Sequence, residues 1–227
     1  MNAGAVGVPH DRASVAGATN EDLSADDDVS PWRTIWYAPR RTIRWTLDND
    51  PTSDVKTLAV LAGIADAIGR AMDRAMGDTF PMLTVAVIVL GVGTVSGLVL
   101  LYLIGAVARR AGIWLGGRMT HEEARAALAW AYPPLIATLA VALVQYAIFG
   151  DEVFRSFAPT IDASPIVATP LAVTTVLLAL WSFGLFIVNV SEAQGFTLKR
   201  ALANVALASL AIVIPIVVAL ALAVFLI

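Results

Sequence analysis

Four long runs without a single charged side chain dominate this chain: Phe80–Ala108, Ala126–Gly150, Ala163–Ser191 and Ala201–Ile227. Each exceeds the roughly 20 residues that a helix needs to cross about 30 Å of hydrocarbon. In such a medium every backbone amide must be satisfied within its own segment, so uncharged runs of this length commit the chain to spanning helices. Composition agrees. Of 227 residues 58% are hydrophobic and the mean hydropathy is +0.77, far more apolar surface than a soluble domain can hide. The class is all-α integral membrane.

The stretch Val55–Met76 is ambiguous by itself, because its uncharged part, Thr57–Ala65, is too short to span. Asp66, Arg70, Asp73 and Arg74 follow it on one helical stripe, where they can pair with one another. Loop charge resolves the ambiguity. Arg33, Arg40, Arg41, Arg44 and Lys56 precede its uncharged part, and Arg109, Arg110, Arg118 and Arg125 follow the first long run. Both groups belong on the cytoplasmic side, and an even number of crossings must separate them. Val55–Met76 is therefore expected to cross, giving five spans near 55–76, 80–108, 126–149, 166–190 and 201–226. The N-terminus is then inside, the acidic Gly150–Ala163 loop outside and the C-terminus outside.

Residues 1–29 carry Asp11, Glu21, Asp22, Asp26, Asp27 and Asp28 against Arg12, with no periodic apolar face. They read as a disordered acidic tail. No basic-then-apolar leader precedes the spans, so the first span is expected to direct insertion. Cysteine is absent, which excludes disulfides and thiolate chemistry.

Between tail and spans lies Pro31–Pro51, with three tryptophans, a tyrosine and four arginines. Trp32, Ile35, Trp36, Ile43 and Leu47 fall near one side of a helical wheel, and Arg33, Arg40, Arg41 and Arg44 largely on the other. Indoles prefer the headgroup level and arginines pair with lipid phosphate. The segment 30–50 is expected to form two short interfacial helices, capped by Ser30, started by Pro31 and divided at Pro39. Trp32, Arg33, Trp36, Arg40, Arg41, Arg44 and Trp45 are its candidate residues for anionic headgroups or a protein partner. Thr52 or Ser53 is expected to cap the next helix.

Other motifs weigh against catalysis. His121-Glu122-Glu123-Ala124-Arg125 begins like a zinc-protease helix but has Arg125 at the second histidine position, and His10 is the only other histidine. No metal or cofactor is expected. Thr120 and Glu123 read instead as a capping box. Gly116 and Gly117, between Trp114 and Arg118, can serve as a docking loop or as a plain turn; they lack the lysine and Ser/Thr of a phosphate-binding loop. Gly93 and Gly97 form a GxxxG that allows close helix approach, either within the bundle or in a dimer. Asn189, Asn204 and Gln145 suit interhelical hydrogen bonds, and Pro133-Pro134, Pro170 and Pro215 should kink or break their helices. No basic cluster outside the membrane-proximal loops suggests nucleic acid. The absence of an internal repeat gives no support to an inverted-repeat transporter.

Four landmarks in order resemble the Yip-one family, whose eukaryotic members were named for interacting with Ypt/Rab GTPases. They are Trp36-Tyr-Ala-Pro39-Arg40-Arg-Thr42-Ile43-Arg44, Arg110-Ala-Gly-Ile-Trp114-Leu-Gly116-Gly117, Ala129-Trp-Ala-Tyr132-Pro133 and Glu192-Ala-Gln-Gly195-Phe196. The resemblance covers about residues 31–227 and is nearest the prokaryotic branch. It implies a five-span bundle acting in membrane organisation or trafficking, as a scaffold rather than an enzyme. Two other functions stay open: a small transporter or channel subunit using the Asp66/Arg70 pair, and an accessory subunit of a larger complex. The partners implied are a bilayer with anionic headgroups and either a protein partner or further copies of the chain.

Overall fold

A computed structural model describes residues 30–226; the acidic tail expected at 1–29 lies outside the described residues. The described chain is helical, without a strand. Two short helices come first, α1 (Pro31–Thr34) and α2 (Pro39–Asn49). They are followed by α3 (Val55–Asp73), a 3₁₀ turn at Met76–Asp78, and the long α4 (Met82–Trp114). Next come α5 (His121–Ala129), α6 (Pro133–Phe149), a second 3₁₀ segment at Gly150–Phe154 and the one-turn α7 (Pro159–Asp162). Two long helices, α8 (Pro165–Gln194) and α9 (Leu198–Leu226), complete the bundle.

Four stretches are long and apolar enough to cross a membrane: Met82–Trp114, His121–Phe154, Pro165–Gln194 and Leu198–Val224. They carry their apolar residues outward. Val87, Val95 and Val99 of α4, Leu177 and Leu180 of α8, and Ile214 and Val217 of α9 are all exposed. Such a surface is stable only against lipid.

The fifth expected span, 55–76, is not among these four. It forms α3 and stops at Asp73, and Lys56, Asp66, Arg70 and Asp73 make it too polar to qualify. Its place is nevertheless interior. Leu58, Ala59, Ala62, Gly63, Ala65, Ala67 and Ala71 are buried, largely against α4. At about 1.5 Å per residue it is about 28 Å long. One end of it meets α1, where Trp32 Nε1 donates to Asp54 Oδ2 at 3.3 Å. The turn after its other end meets the α6–α7 connection, where Asp78 accepts from the Ser156 backbone N–H at 3.0 Å. We call these the proximal and distal ends.

Small residues bring α3 and α4 into backbone contact. A Cβ at Gly93 would lie 2.7 Å from Ile64 Cα, and one at Gly63 would lie 2.6 Å from Gly97 Cα. A Cβ at Gly97 would overlap the Ala59 carbonyl oxygen. The GxxxG of α4 therefore faces Ala59 and Gly63 inside the bundle.

Prolines act unequally. Pro133 and Pro134 have no N–H to offer the carbonyls one turn earlier, and the chain divides there into α5 and α6. Within that break Ala131 N donates to Leu128 O, so the Ala127 carbonyl loses its helical donor. Asn189 of α8 supplies one from Nδ2 at 3.0 Å, and Ser182 Oγ donates to Ala131 O at 2.8 Å. A broken backbone at membrane depth is thus answered by polar side chains of a neighbouring helix. Pro170 and Pro215 do not divide their helices; α8 and α9 continue through them.

Two expected caps differ in detail. Ser30 precedes α1 but makes no side-chain cap; its carbonyl instead accepts from the Thr34 hydroxyl at 3.0 Å. Neither Thr52 nor Ser53 caps α3, whose first flanking residue is Asp54 with φ +58°. Thr52 is held by Asp50, which accepts from its N–H at 2.9 Å and its hydroxyl at 2.7 Å. Those two bonds favour the ionised carboxylate and lower the pKa of Asp50. The capping box at α5 is present: Glu123 N donates to Thr120 Oγ1 at 3.2 Å, and Thr120 N to Glu123 Oε2 at 2.6 Å.

Candidate functional site

The proximal end gathers most of the residues singled out in the sequence. Helix α2 lies across it, against α5 and α8, with α1 packed on α2. Ile35 and Ile43 are fully buried there. Trp36, by contrast, is exposed, and the remaining inward positions belong to Thr34, Thr42 and Thr46. The Thr42 hydroxyl donates to Thr34 Oγ1 at 2.7 Å, and the Thr46 hydroxyl to the Thr42 carbonyl at 3.0 Å. Threonine satisfies its own hydroxyl within the helix and still presents a methyl to the core. A wheel that counts it as polar assigns the wrong face.

Trp32 packs edge-on to the buried Trp130, with ring centroids 5.7 Å apart and planes at 67°. Trp45 is partly buried, and Arg33 and Arg41 are exposed. Arg40 and Arg44 turn toward one carboxylate. Arg40 Nη1 lies 2.9 Å from Glu192 Oε1, and Arg44 Nε lies 2.6 Å from Glu192 Oε2. The Glu192 side chain is only 8% exposed, whereas the two arginine side chains remain more than half exposed. The carboxylate is shielded by its partners, and α2 is fastened to the end of α8. Two of the residues proposed for lipid headgroups are thus joined to an acid of the same chain. Glu192 was legible as part of a landmark but not as a site residue. Its signal is that it is the first charge after a long apolar run, facing an arginine-rich segment.

The glycine pair closes α4. Gly116 has φ +82°, Gly116 N donates to Ile113 O at 3.0 Å, and Gly117 N donates to Gly112 O at 2.8 Å. This is a Schellman ending, which a residue with a Cβ would strain at the left-handed position. Helix α8 ends the same way at Gly195, φ +66°, with Phe196 N donating to Ser191 O at 2.8 Å. The two endings interlock through Gln194. Its side chain lies where a Cβ on Gly112 or on Gly117 would fall, and its Oε1 accepts from Met119 N at 3.3 Å. Arg200 stands 4.9 Å from the centre of the Phe196 ring. Trp114 stays exposed beside this junction.

A second polar locus lies nearer the distal end. Asp66 and Arg70 form an ion pair one turn apart on α3, each more than one-third exposed. They line a cleft of about 320 Å³ between α3, α6 and α8, together with Asp73, Thr138, Gln145 and Thr175. On the far side of the α3–α6 seam lies an apolar groove of about 510 Å³, bounded by Ile64, Val85, Val89, Leu143 and Phe154.

The model of one protein family, described as the Yip1 domain, matches residues 33–220. No curated protein and no solved structure matches the chain.

Proposed function

Because this chain belongs to the Yip1 domain family, a family of membrane proteins, we propose that it is a non-catalytic multi-pass scaffold in membrane organisation or trafficking. One observation carries the reading: Glu192 holds the arginines of α2, so the N-terminal helices sit on the bundle as a fixed platform. Trp36, Tyr37 and Arg33 are exposed on that platform. A preordered, aromatic and basic surface suits a protein partner at the headgroup level of an anionic bilayer. The topology that goes with it has five crossings, a cytoplasmic N-terminus and, we infer, a prokaryotic cell membrane. Support for α3 as the fifth crossing comes from its length and from its contacts with both ends of the bundle. Its charges face the cleft with α6 and α8.

Cross-linking of the tagged protein in its native membrane, followed by mass spectrometry, tests the reading. A recurrent partner joined to residues 31–51 or 109–125 is expected. Adducts only between copies of the chain would remove the adaptor role. The same experiment separates a scaffold with several partners from an accessory subunit with one.

A transport role has its own support in the cleft around Asp66 and Arg70. Solute flux in proteoliposomes that disappears in Asp66→Asn and Arg70→Gln would favour it over the scaffold.

A further inference from the structure

At the proximal end a cavity of about 420 Å³ opens beside the last turns of α4. Its polar rim is Arg109, Arg110, His121 and the Trp114 indole, and its apolar wall includes Val107, Ala111 and Ala211. No carboxylate lines it. The neighbouring acids are engaged elsewhere: Glu123 closes the α5 capping box, and Glu122 lies 3.9 Å from Arg125. Among the described residues no acid pairs with Arg109 or Arg110. The Arg109 guanidinium is oriented by its Nε, which donates to Met119 O at 3.1 Å, and its remaining N–H groups are left for a ligand.

We propose that this cavity binds one anionic phospholipid, whose phosphate sits between Arg110, Arg109 and His121 and whose acyl chain lies along Val107 and Ala211. Three features favour a phospholipid. Guanidinium groups bind phosphate oxygens with paired N–H donors. An indole beside them matches the glycerol level of a bilayer. An apolar wall continuous with a spanning helix accommodates a tail, which a soluble phosphate does not have. Of the arginines first expected to bind headgroups, Arg40 and Arg44 share Glu192 instead, whereas Arg109 and Arg110 border this cavity with no carboxylate in its lining. The inference rests on the reading of the chain as a membrane scaffold at an anionic surface, but it concerns lipid alone.

The full chain, purified in mild detergent and offered phosphatidylglycerol or phosphatidylcholine, is examined by native mass spectrometry. Retention of one phosphatidylglycerol, at least about fivefold favoured over phosphatidylcholine, is expected. The Arg110→Gln/His121→Ala variant should lose that preference, Arg110→Lys should keep part of it, and Arg40→Gln/Arg44→Gln should keep it whole. Equal retention of the two lipids, or a preference that survives Arg110→Gln/His121→Ala, would overturn the proposal. Loss of the preference in Arg40→Gln/Arg44→Gln alone would move the site to α2 and overturn it as well. Displacement of the lipid by glycerol phosphate would assign the cavity to a soluble ligand. Because no protein partner enters the measurement, failure of the scaffold reading in cross-linking leaves this result independent.

Discussion

Glu192 Oε2 lies 2.6 Å from Arg44 Nε, joining the end of α8 to a helix 148 residues earlier in the chain. The same carboxylate takes Arg40 on its other oxygen at 2.9 Å. One acid thus fixes the N-terminal platform against the bundle.

Replacing Glu192 with Ala should free α2 without unfolding the spans. With both arginine side chains more than half exposed, the loss should be modest, about 1–2 kcal/mol. Limited proteolysis of reconstituted protein should then cut faster between residues 31 and 54. Unchanged cleavage would mean that the buried threonine and isoleucine face holds α2 alone.

Gly97→Ala should destabilise the bundle by about 1–3 kcal/mol, because its Cβ meets the Ala59 backbone, which cannot rotate away. Gly91, on the same helix, has open space at its Cβ position. Gly91→Ala should therefore be neutral or slightly stabilising by helix propensity. Thermal unfolding in detergent reads both, and equal effects would sink the close-packing account.

Gly117→Ala should clash with the Gln194 amide and with Phe196 Cζ at 2.9 Å. Removing the amide as well should recover part of the loss. A double-mutant cycle of Gly117→Ala with Gln194→Ala is expected to give a coupling of about 1 kcal/mol; strict additivity would separate the two helix endings.

Asn189→Leu strips the Ala127 carbonyl of the side-chain donor it has at the Pro133 break. A cost of about 1–2 kcal/mol is expected, against a smaller one for Gln145, which lies at the partly exposed cleft. Denaturant-induced unfolding of the two variants in the same detergent makes the comparison.

At the distal end the Ser156 hydroxyl and N–H both donate to Asp78, lowering its pKa below the ordinary 3.8. A depressed carboxyl stabilises the fold above 3.8, and that contribution fades as pH falls through the lower folded value. Carbon NMR of labelled Asp78 should place its titration below 3.8, and Ser156→Ala should move it upward. A titration unaffected by Ser156→Ala would remove this link between the Met76–Asp78 turn and the α6–α7 connection.

Several of these relationships could be read from local sequence and several could not. The Thr120–Glu123 capping box, the start of α1 at Pro31 and the division at Pro133-Pro134 are set by residues within four positions of one another. The choice between a dimer and an internal contact for Gly93 and Gly97 needed Ala59 and Gly63 to be placed opposite them. Residue type does not mark Thr42 and Thr46 as core-facing, because each hydroxyl is satisfied within the N-terminal helices and leaves a methyl to pack. For residues 55–76 two signals oppose each other: Asp66 and Arg70 lower the apolarity that marks a span, while burial against α4 places the helix inside the bundle.

The sequence by itself determined that this is an all-helical membrane protein, where its longest helices lie, and which family it joins. The first two follow from chain length without charge, because hydrocarbon rejects any unpaired backbone amide or ion whatever its neighbours; the third follows from four landmarks in order along the chain. Only the tertiary structure decided that Arg40 and Arg44 answer to Glu192, that Gln194 fills the space left by Gly112 and Gly117, and that Arg109 and Arg110 border an open cavity. Each of those depends on which side chain arrives opposite another after dozens of intervening residues, and an arginine carries the same charge whether it meets a carboxylate or a lipid phosphate.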